Sequence, residues 1–340
     1  MMPITLFRIL GPLLLAGACM GIGDACAADA VNDTASDGQT VSLVFAGDIV
    51  LDGQPGKAIA QGHDPFAAFS AILSAADIRV ANLECVVATV GEPEDKIFNF
   101  RANPHTLDIL NQHFDAVSIA NNHSGDFGRP AFAEMLGLLD QHHILRFGGG
   151  HNLAEAHKPL IIERKGIRIA LLGYNEFMPR SFEADANAPG TAWSEDEQVV
   201  ADIQKARSFY HADLVIPIMH WGWENEMKAN ARQRQLAHLM IDAGADVVIG
   251  GHPHVTQDIE TYHDKLIVYS VGNFMIDALD NEAQTLGWVL GLQLDRSGVK
   301  SWNTRVAHID AQGIPHPVVQ AKSPCGTRAR SGIGMCENTN

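Results

Sequence analysis

The sequence predicts a mixed α/β fold in which two sheets pack face to face with helices outside them. Three observations carry this. Short β-branched apolar runs alternate with amphipathic segments through residues 41–250, a pattern of buried strands and covering helices. After Asp258 the helical pattern fades and strands of alternating polarity take over, which adds antiparallel pairing to a parallel framework. A length of 340 residues with 46% hydrophobic content suits a large packed domain.

Taken in order, residues 41–46 read as a first strand ending at Gly47-Asp48. A helix over 65–74 leads to a strand over 78–83 that ends on Glu84. Pro104 opens a helix to about 112, followed by a strand ending at Asn121. A helix over 130–141 precedes a strand at 145–147 and the turn Gly148-Gly149-Gly150. Residues 160–163 and 167–172, joined through Lys165-Gly166, read as a hairpin. Ser194-Glu195-Asp196-Glu197 reads as a capping box for a helix to about 210. Strands at 214–219 and 247–249 bracket a helix over 232–243 closed by Gly244, a suitable left-handed C-terminal residue. Residues 266–270, 288–294 and 304–308 are the clearest late strands.

Arg8 precedes an apolar stretch at 9–18, and Ala25-Cys26-Ala27 offers small residues at a cleavage site. The stretch is too short to span a membrane as a helix. The expected organisation is a signal peptide at 1–27, a polar linker at 28–40, one domain at 41–320 and a flexible tail at 321–340, the mature chain being periplasmic or secreted. A lipid anchor on Cys19 is the alternative, with Ala16 a poor match to the leucine usual three residues before such a cysteine. Outside the signal, Cys325 and Cys336 could close a small loop, and Cys85 reads as a buried thiol. A net charge of −16 argues against nucleic-acid binding, since no basic stripe is present to neutralise phosphates.

The chemistry concentrates in three histidine-bearing segments at strand ends: Ala120-Asn121-Asn122-His123, His220-Trp221-Gly222-Trp223-Glu224 and Gly250-Gly251-His252-Pro253-His254. Imidazole, amide and carboxylate groups delivered by separate strands can converge on a divalent cation, and an N/O donor set suits manganese, iron or zinc. Most of the 16 histidines cannot be ligands. His63, His113, His142, His143, His151, His157, His211, His238, His263, His308 and His316 read as surface or capping residues. The Gly-Gly before His252 reads as permission for a tight turn. Trp221 and Trp223 could wall the site, stack on a substrate or belong to the core.

Gly47-Asp48, Asn82-Leu83-Glu84, Ala120-Asn121-Asn122-His123 with Asp126-Phe127-Gly128, His220-Trp221-Gly222-Trp223-Glu224, Gly244-Ala245-Asp246-Val247-Val248, Gly251-His252-Pro253-His254-Val255 and Tyr269-Ser270-Val271-Gly272-Asn273-Phe274 follow in register. In this order they resemble the bacterial capsule synthesis protein family CapA, also called the poly-γ-glutamate synthesis protein PgsA type, over about residues 42–276. That family is similar to calcineurin-like metallophosphoesterases. The resemblance implies a four-layer α/β/β/α sandwich with one or two divalent metals at the strand ends. It further implies Asp48, Glu84, Asn122, His220, His252 and His254 as ligands, Glu84 bridging, and His123 beside the substrate's oxygens as the catalytic side chain. Asn121, Asp126, Glu224 and Asn273 would orient the ligands. Two departures stand out: Val50 replaces a histidine usual two residues after the first aspartate, and the bridging residue is Glu in place of Asp.

Three functions follow as expectations: an exported metal-dependent hydrolase or transferase of capsule or poly-γ-glutamate-type polymer biosynthesis; a non-catalytic scaffold of a polymer synthesis and export complex; and a general phosphodiesterase or nucleotidase. The implied partners are an extracellular polymer or its precursor and membrane-bound polymer synthesis proteins.

Overall fold

The computed structural model describes residues 39–178 and 180–338. The strand Val41–Ile49 is apolar along nearly its whole length and lies inside a ten-stranded sheet. On one side it pairs in parallel with Ile78–Leu83, which pairs with Ala116–Ser118 and then Leu145–Phe147. On the other it meets Leu286–Asp295 antiparallel, followed by Gly298–Ile309. A second, six-stranded sheet runs in the order Ile259–Tyr262, Lys265–Val268, Val247–Gly251, Leu214–His220, Ile167–Asn175, Leu160–Arg164. Its central pairs are parallel and its two edge strands antiparallel.

Alternation of side chains along each strand sorts the apolar residues into three cores. Leu43, Phe45 and Val80 of the first sheet share one core with Ile169, Ile216 and Ile249 of the second, so the sheets face each other. Val44, Ala81 and Val117 point the other way, onto Leu107 and Leu110 of the helix Thr106–His113 and Phe132 and Leu136 of Gly128–Gln141. Ala170, Val215 and Val248 pack on Val199 and Ile203 of the helix Asp196–Ser208 and on Leu236 and Met240 of Ala231–Ala243. This is the four-layer α/β/β/α order expected.

Several local expectations are corrected. The helix expected over 65–74 is a 3-10 turn, Ala67–Phe69, running into the short helix Ser70–Ser74; the Asp64 carboxylate accepts from the Phe66 amide and sets a turn first. The helix Gly53–Ala60, with two glycines and a proline, has no helical signal in the sequence. The capping box at 194–197 does not form, because Ser194 Oγ donates to Glu176 Oε2 at 2.6 Å and the N-cap is Glu195 with no side-chain bond. The reciprocal box sits instead at Asn230 and Gln233. Gly149–Gly150 of the expected turn forms a short antiparallel ladder with Gly190–Thr191.

The expected tail is a hairpin. Lys322–Thr327 and Arg330–Glu337 pair with each other, and the former extends the large sheet from Gly298–Ile309. A Cys325–Cys336 disulfide crosslinks the two strands. Loop-like composition hid the strands, because their support is the neighbouring strand's free edge. Cys85 is buried, with burial pushing its thiol upward in pKa. The proposed signal, its cleavage site and Cys19 lie outside the described residues. Among the described residues, no helix is long and apolar enough to cross a membrane.

Two histidines expected at the surface are buried. His113 Nε2 lies 2.9 Å from Asp64 Oδ2, and His157 Nδ1 lies 2.7 Å from Asp202 Oδ2, which also accepts from Tyr174 at 3.0 Å. Each is satisfied by a carboxylate, the condition for burying such a group.

Candidate metal centre

Parallel strands aim their carboxyl ends the same way, so the residues at and just past those ends gather at one edge of the two packed sheets. Asp48 is the penultimate residue of Val41–Ile49, Glu84 follows Leu83, His220 closes Leu214–His220 and His252 follows Gly251. Asn121, Asn122 and His123 lie on the loop after Ala116–Ser118. Close approach of the sheets constrains the backbone. A Cβ on Gly251 would sit 2.9 Å from Asp48 Oδ1, so glycine there serves proximity where the sequence suggested a turn. His252 and His254 themselves adopt positive φ, 92° and 58°, a strained conformation for residues with side chains.

Two overlapping sets of ligand-type atoms result: Asp48, Glu84 and His220, and Glu84, His252 and His254, each within 4.8 Å of one another. Glu84 belongs to both. His220 Nε2 stands 2.6 Å from Asn122 Oδ1, 3.1 Å from His252 Nδ1 and 3.2 Å from Glu84 Oε1. Both Glu84 oxygens and His252 Nε2 are nevertheless buried without a hydrogen-bond partner. Leaving such groups unpaired costs about 1–3 kcal/mol each, and more for a charge. A buried carboxylate and imidazole that converge unpaired are what a divalent cation would satisfy, so the donor set fits one.

The supports are explicit. Asn121 donates to Asn82 Oδ1 and the Leu83 carbonyl and accepts from the His123 amide and Ser124 hydroxyl, pinning the loop to the Glu84 strand. Asn273 Oδ1 lies 2.7 Å from His254 Nδ1. Asp126 Oδ2 lies 2.8 Å from His123 Nδ1 and accepts from the Phe100 amide at 2.6 Å, while Lys96 pairs with its other oxygen. Glu224 departs from expectation: it is exposed and makes no hydrogen bond to a ligand side chain among the described residues, acting on Glu84, His220 and His254 only through its charge. The strand's end places it on the rim, two residues past Gly222 with its positive φ of 86°.

Asn82 belongs to one of the motifs, yet the sequence assigns it no role. Its Nδ2 donates to Asp48 Oδ1 at 2.8 Å and approaches His220 Nδ1 at 3.4 Å, tying both sheets together. An amide two residues before Glu84, on the same face of a buried strand, was the available signal. Val50, where a histidine is usual, is fully buried in apolar core. Trp221 is core, its indole donating to the Tyr269 carbonyl, whereas Trp223 is 63% exposed.

Burial dominates the electrostatics. It holds Glu84 well above the usual carboxyl range, with Asp48 adding repulsion. It lowers His220 to about 3 and His252 far below neutrality, leaving both as neutral imidazoles, the form that binds metal. His254 goes the other way: burial opposes its charge, yet Glu84 and Asp48 together raise it. Burial lowers His123 in spite of its bond to Asp126.

With this geometry in view, similarity to known proteins places the chain. A PGA biosynthesis protein CapA from Bacillus subtilis (strain 168) is 34% identical over 243 residues, 70% of this chain and 63% of that protein. A capsule biosynthesis protein CapA from Bacillus anthracis is 31% identical over 186 residues, 54% and 45% respectively. This chain therefore spans less than two thirds of those relatives' length. Among solved structures, a hypothetical protein from Thermus thermophilus aligns at 17% identity over 88% of this chain and 100% of its own, with a TM-score of 0.46. The sequence model of the bacterial capsule synthesis protein PGA_cap matches residues 42–278, most of the described fold including Asp48, Glu84, Asn122, His123, His220, His252 and His254, and the chain belongs to that family of capsule and poly-glutamate biosynthesis accessory proteins.

Proposed function

We propose that this chain is an exported, divalent-metal-dependent hydrolase or transferase that acts on a capsule or poly-γ-glutamate-type polymer, or on its precursor, beside membrane-bound polymer synthesis proteins. One observation carries the reading: two ligand sets share Glu84, and three of their buried polar atoms have no hydrogen-bond partner. Asp48, Glu84 and His220 would hold one ion, and Glu84, His252 and His254 a second, with Asn122 beside the first. Manganese, iron or zinc there would supply Lewis acidity and activate water. His123, its Nδ1 engaged by Asp126, keeps Nε2 for moving a proton. Asn121 and Asn82 hold the loop and the two sheets in register.

Elemental analysis of wild type and His252→Ala, followed by assay of the loaded protein on phosphoesters and acidic polymers, tests this. Equal metal content in the two proteins would remove the cluster as the site. A second reading, a scaffold whose metal is structural, draws on Val50, which leaves apolar core where a further ligand is usual. Export is tested separately: the mature chain should begin near Ala28, and a retained Met1 or a lipidated Cys19 in mass spectra would count against simple cleavage.

A further inference from the structure

The loops around the site carry apolar side chains that the polar centre does not account for. Ile97 is 91% exposed and Phe98 48%; Met178, Trp223 and Met227 are each more than 60% exposed. Ile97 and Phe98 lie between the short strands Val86–Val87 and Arg101–Ala102, beyond the carboxyl end of Ile78–Leu83, and Met178, Trp223 and Met227 follow the carboxyl ends of Ile167–Asn175 and Leu214–His220, the edge that bears the candidate metal ligands. Two chains of aromatic contact connect the centre to this rim. From His252 the Phe177 ring lies 3.8 Å away, and Trp223 meets Phe177 edge-on at 6.0 Å. From His123 the Phe100 ring lies 4.6 Å away, and Phe98 stacks on Phe100 at 6.4 Å. Each series begins at a buried site histidine and ends in an exposed ring.

Rings this exposed are unfavourable unless something covers them, and their clustering around a candidate reaction centre is the mark of a recognition surface. The charges on the same loops narrow the occupant. Glu92, Glu94, Asp95, Glu224 and Glu226 are all exposed; of the cations on these loops, Lys96 is engaged by Asp126 and Arg180 by Glu183 and Glu195, leaving Lys228 exposed against the five acids. A long polyanion or an anionic lipid surface would be repelled along this rim, which among the substrates proposed above favours the precursor over the finished polymer.

We propose that the mouth takes an amphiphilic substrate, with one anionic group at the metal centre and an aromatic or aliphatic group held between Trp223 and Phe98. This rests on the metal-centre reading above and adds a substrate class to it.

Phosphonates of increasing apolar size test both separately. Manganese-loaded full-length protein is titrated calorimetrically with methylphosphonate, phenylphosphonate and octylphosphonate. Phenyl- and octylphosphonate should bind at least about tenfold more tightly than methylphosphonate, the scale expected for covering one ring or a few methylenes. The double variant Trp223→Ala/Phe98→Ala, altered only at exposed positions, should bind methylphosphonate as wild type does and lose the preference. Equal affinities in wild type would overturn the apolar mouth and leave the metal centre standing, and would assign the exposed rings to a protein contact instead. A preference that survives in the double variant would also overturn it. Metal-loaded protein that binds none of the three would sink the anion-binding centre, and the mouth with it.

Discussion

At the residue scale, the candidate ligand atoms and the side chains bonded to them separate cleanly. His252→Ala should reduce metal affinity by about tenfold or more, since losing even an orienting partner reaches that range; equilibrium dialysis against zinc or manganese reads it directly. His123→Ala is a different case, because His123 touches Asp126 and Phe100 and lies in neither of the two ligand sets. It should retain fold and most metal yet lower turnover by roughly 100-fold, the usual scale for losing a proton-transfer group. A strain carrying His123→Ala with normal polymer yield and length would favour the scaffold. Motif residues were legible in the sequence because their chemistry is uncommon at strand ends. Asn82 and the misplacement of Glu224 were not, since hydrogen-bond partners 34 to 138 residues away cannot be read from local pattern.

At the element scale, strands flanked by long helices were read well, because period and length agree there. Elements that depend on a single side-chain bond were read poorly. Ser194 and Asn230 show why: both are good cap residues, and only the position of Glu176 decides that Ser194 is diverted. Asn230→Ala should therefore cost about 1 kcal/mol in denaturant unfolding, and Ser194→Ala should show no loss attributable to capping. The C-terminal hairpin gives a second expectation. Its disulfide spans 11 residues, so Cys325→Ser/Cys336→Ser should lose about 3 kcal/mol in the chain-entropy account. Because the hairpin edges the sheet away from the ligands, bound metal should be unchanged; metal loss in that variant would contradict the placement.

At the scale of the whole molecule, the two sheets meet through Asp48, Asn82, His220 and His252, so the metal should act as a clamp between them. Metal at about 100 times its Kd should add roughly 2.7 kcal/mol of stability, and chelation should lower Tm accordingly. An unchanged Tm on chelation would contradict the clamp. Acid stability follows from the depressed histidines of the centre and from carboxyls elsewhere. Asp295, bonded to Arg328, is held below its usual 3.8; Asp258 and Glu260 are held below 3.8 and 4.5, where hydrogen bonds to Arg234, His238, Tyr269 and the Ala229 amide outweigh burial. A depressed carboxyl pKa contributes stability that is present above the unfolded value and lost as pH falls through the folded one. Chelated protein should therefore hold its Tm at neutral pH and lose it progressively below about pH 6.5, first through the buried neutral His123, His220 and His252 and below about pH 4.5 through these carboxyls as well, a profile that a pH series of thermal melts would show.

The one-dimensional pattern was enough for the alternating strands and helices, the two facing sheets and the segments that bring candidate ligands to one edge, because hydrophobic period and residue type are local properties. The tertiary structure alone decided which of those residues meet. It set Glu84 within reach of both candidate ligand sets, left its oxygens and His252 Nε2 without hydrogen-bond partners, recruited Asn82 across the sheets and sent Glu224 to the rim. The physical reason is that burial and pairing depend on what the rest of the chain brings alongside. Neither the desolvation that lowers His220 and raises Glu84 nor the free sheet edge that orders residues 322–337 exists until the sheets have packed.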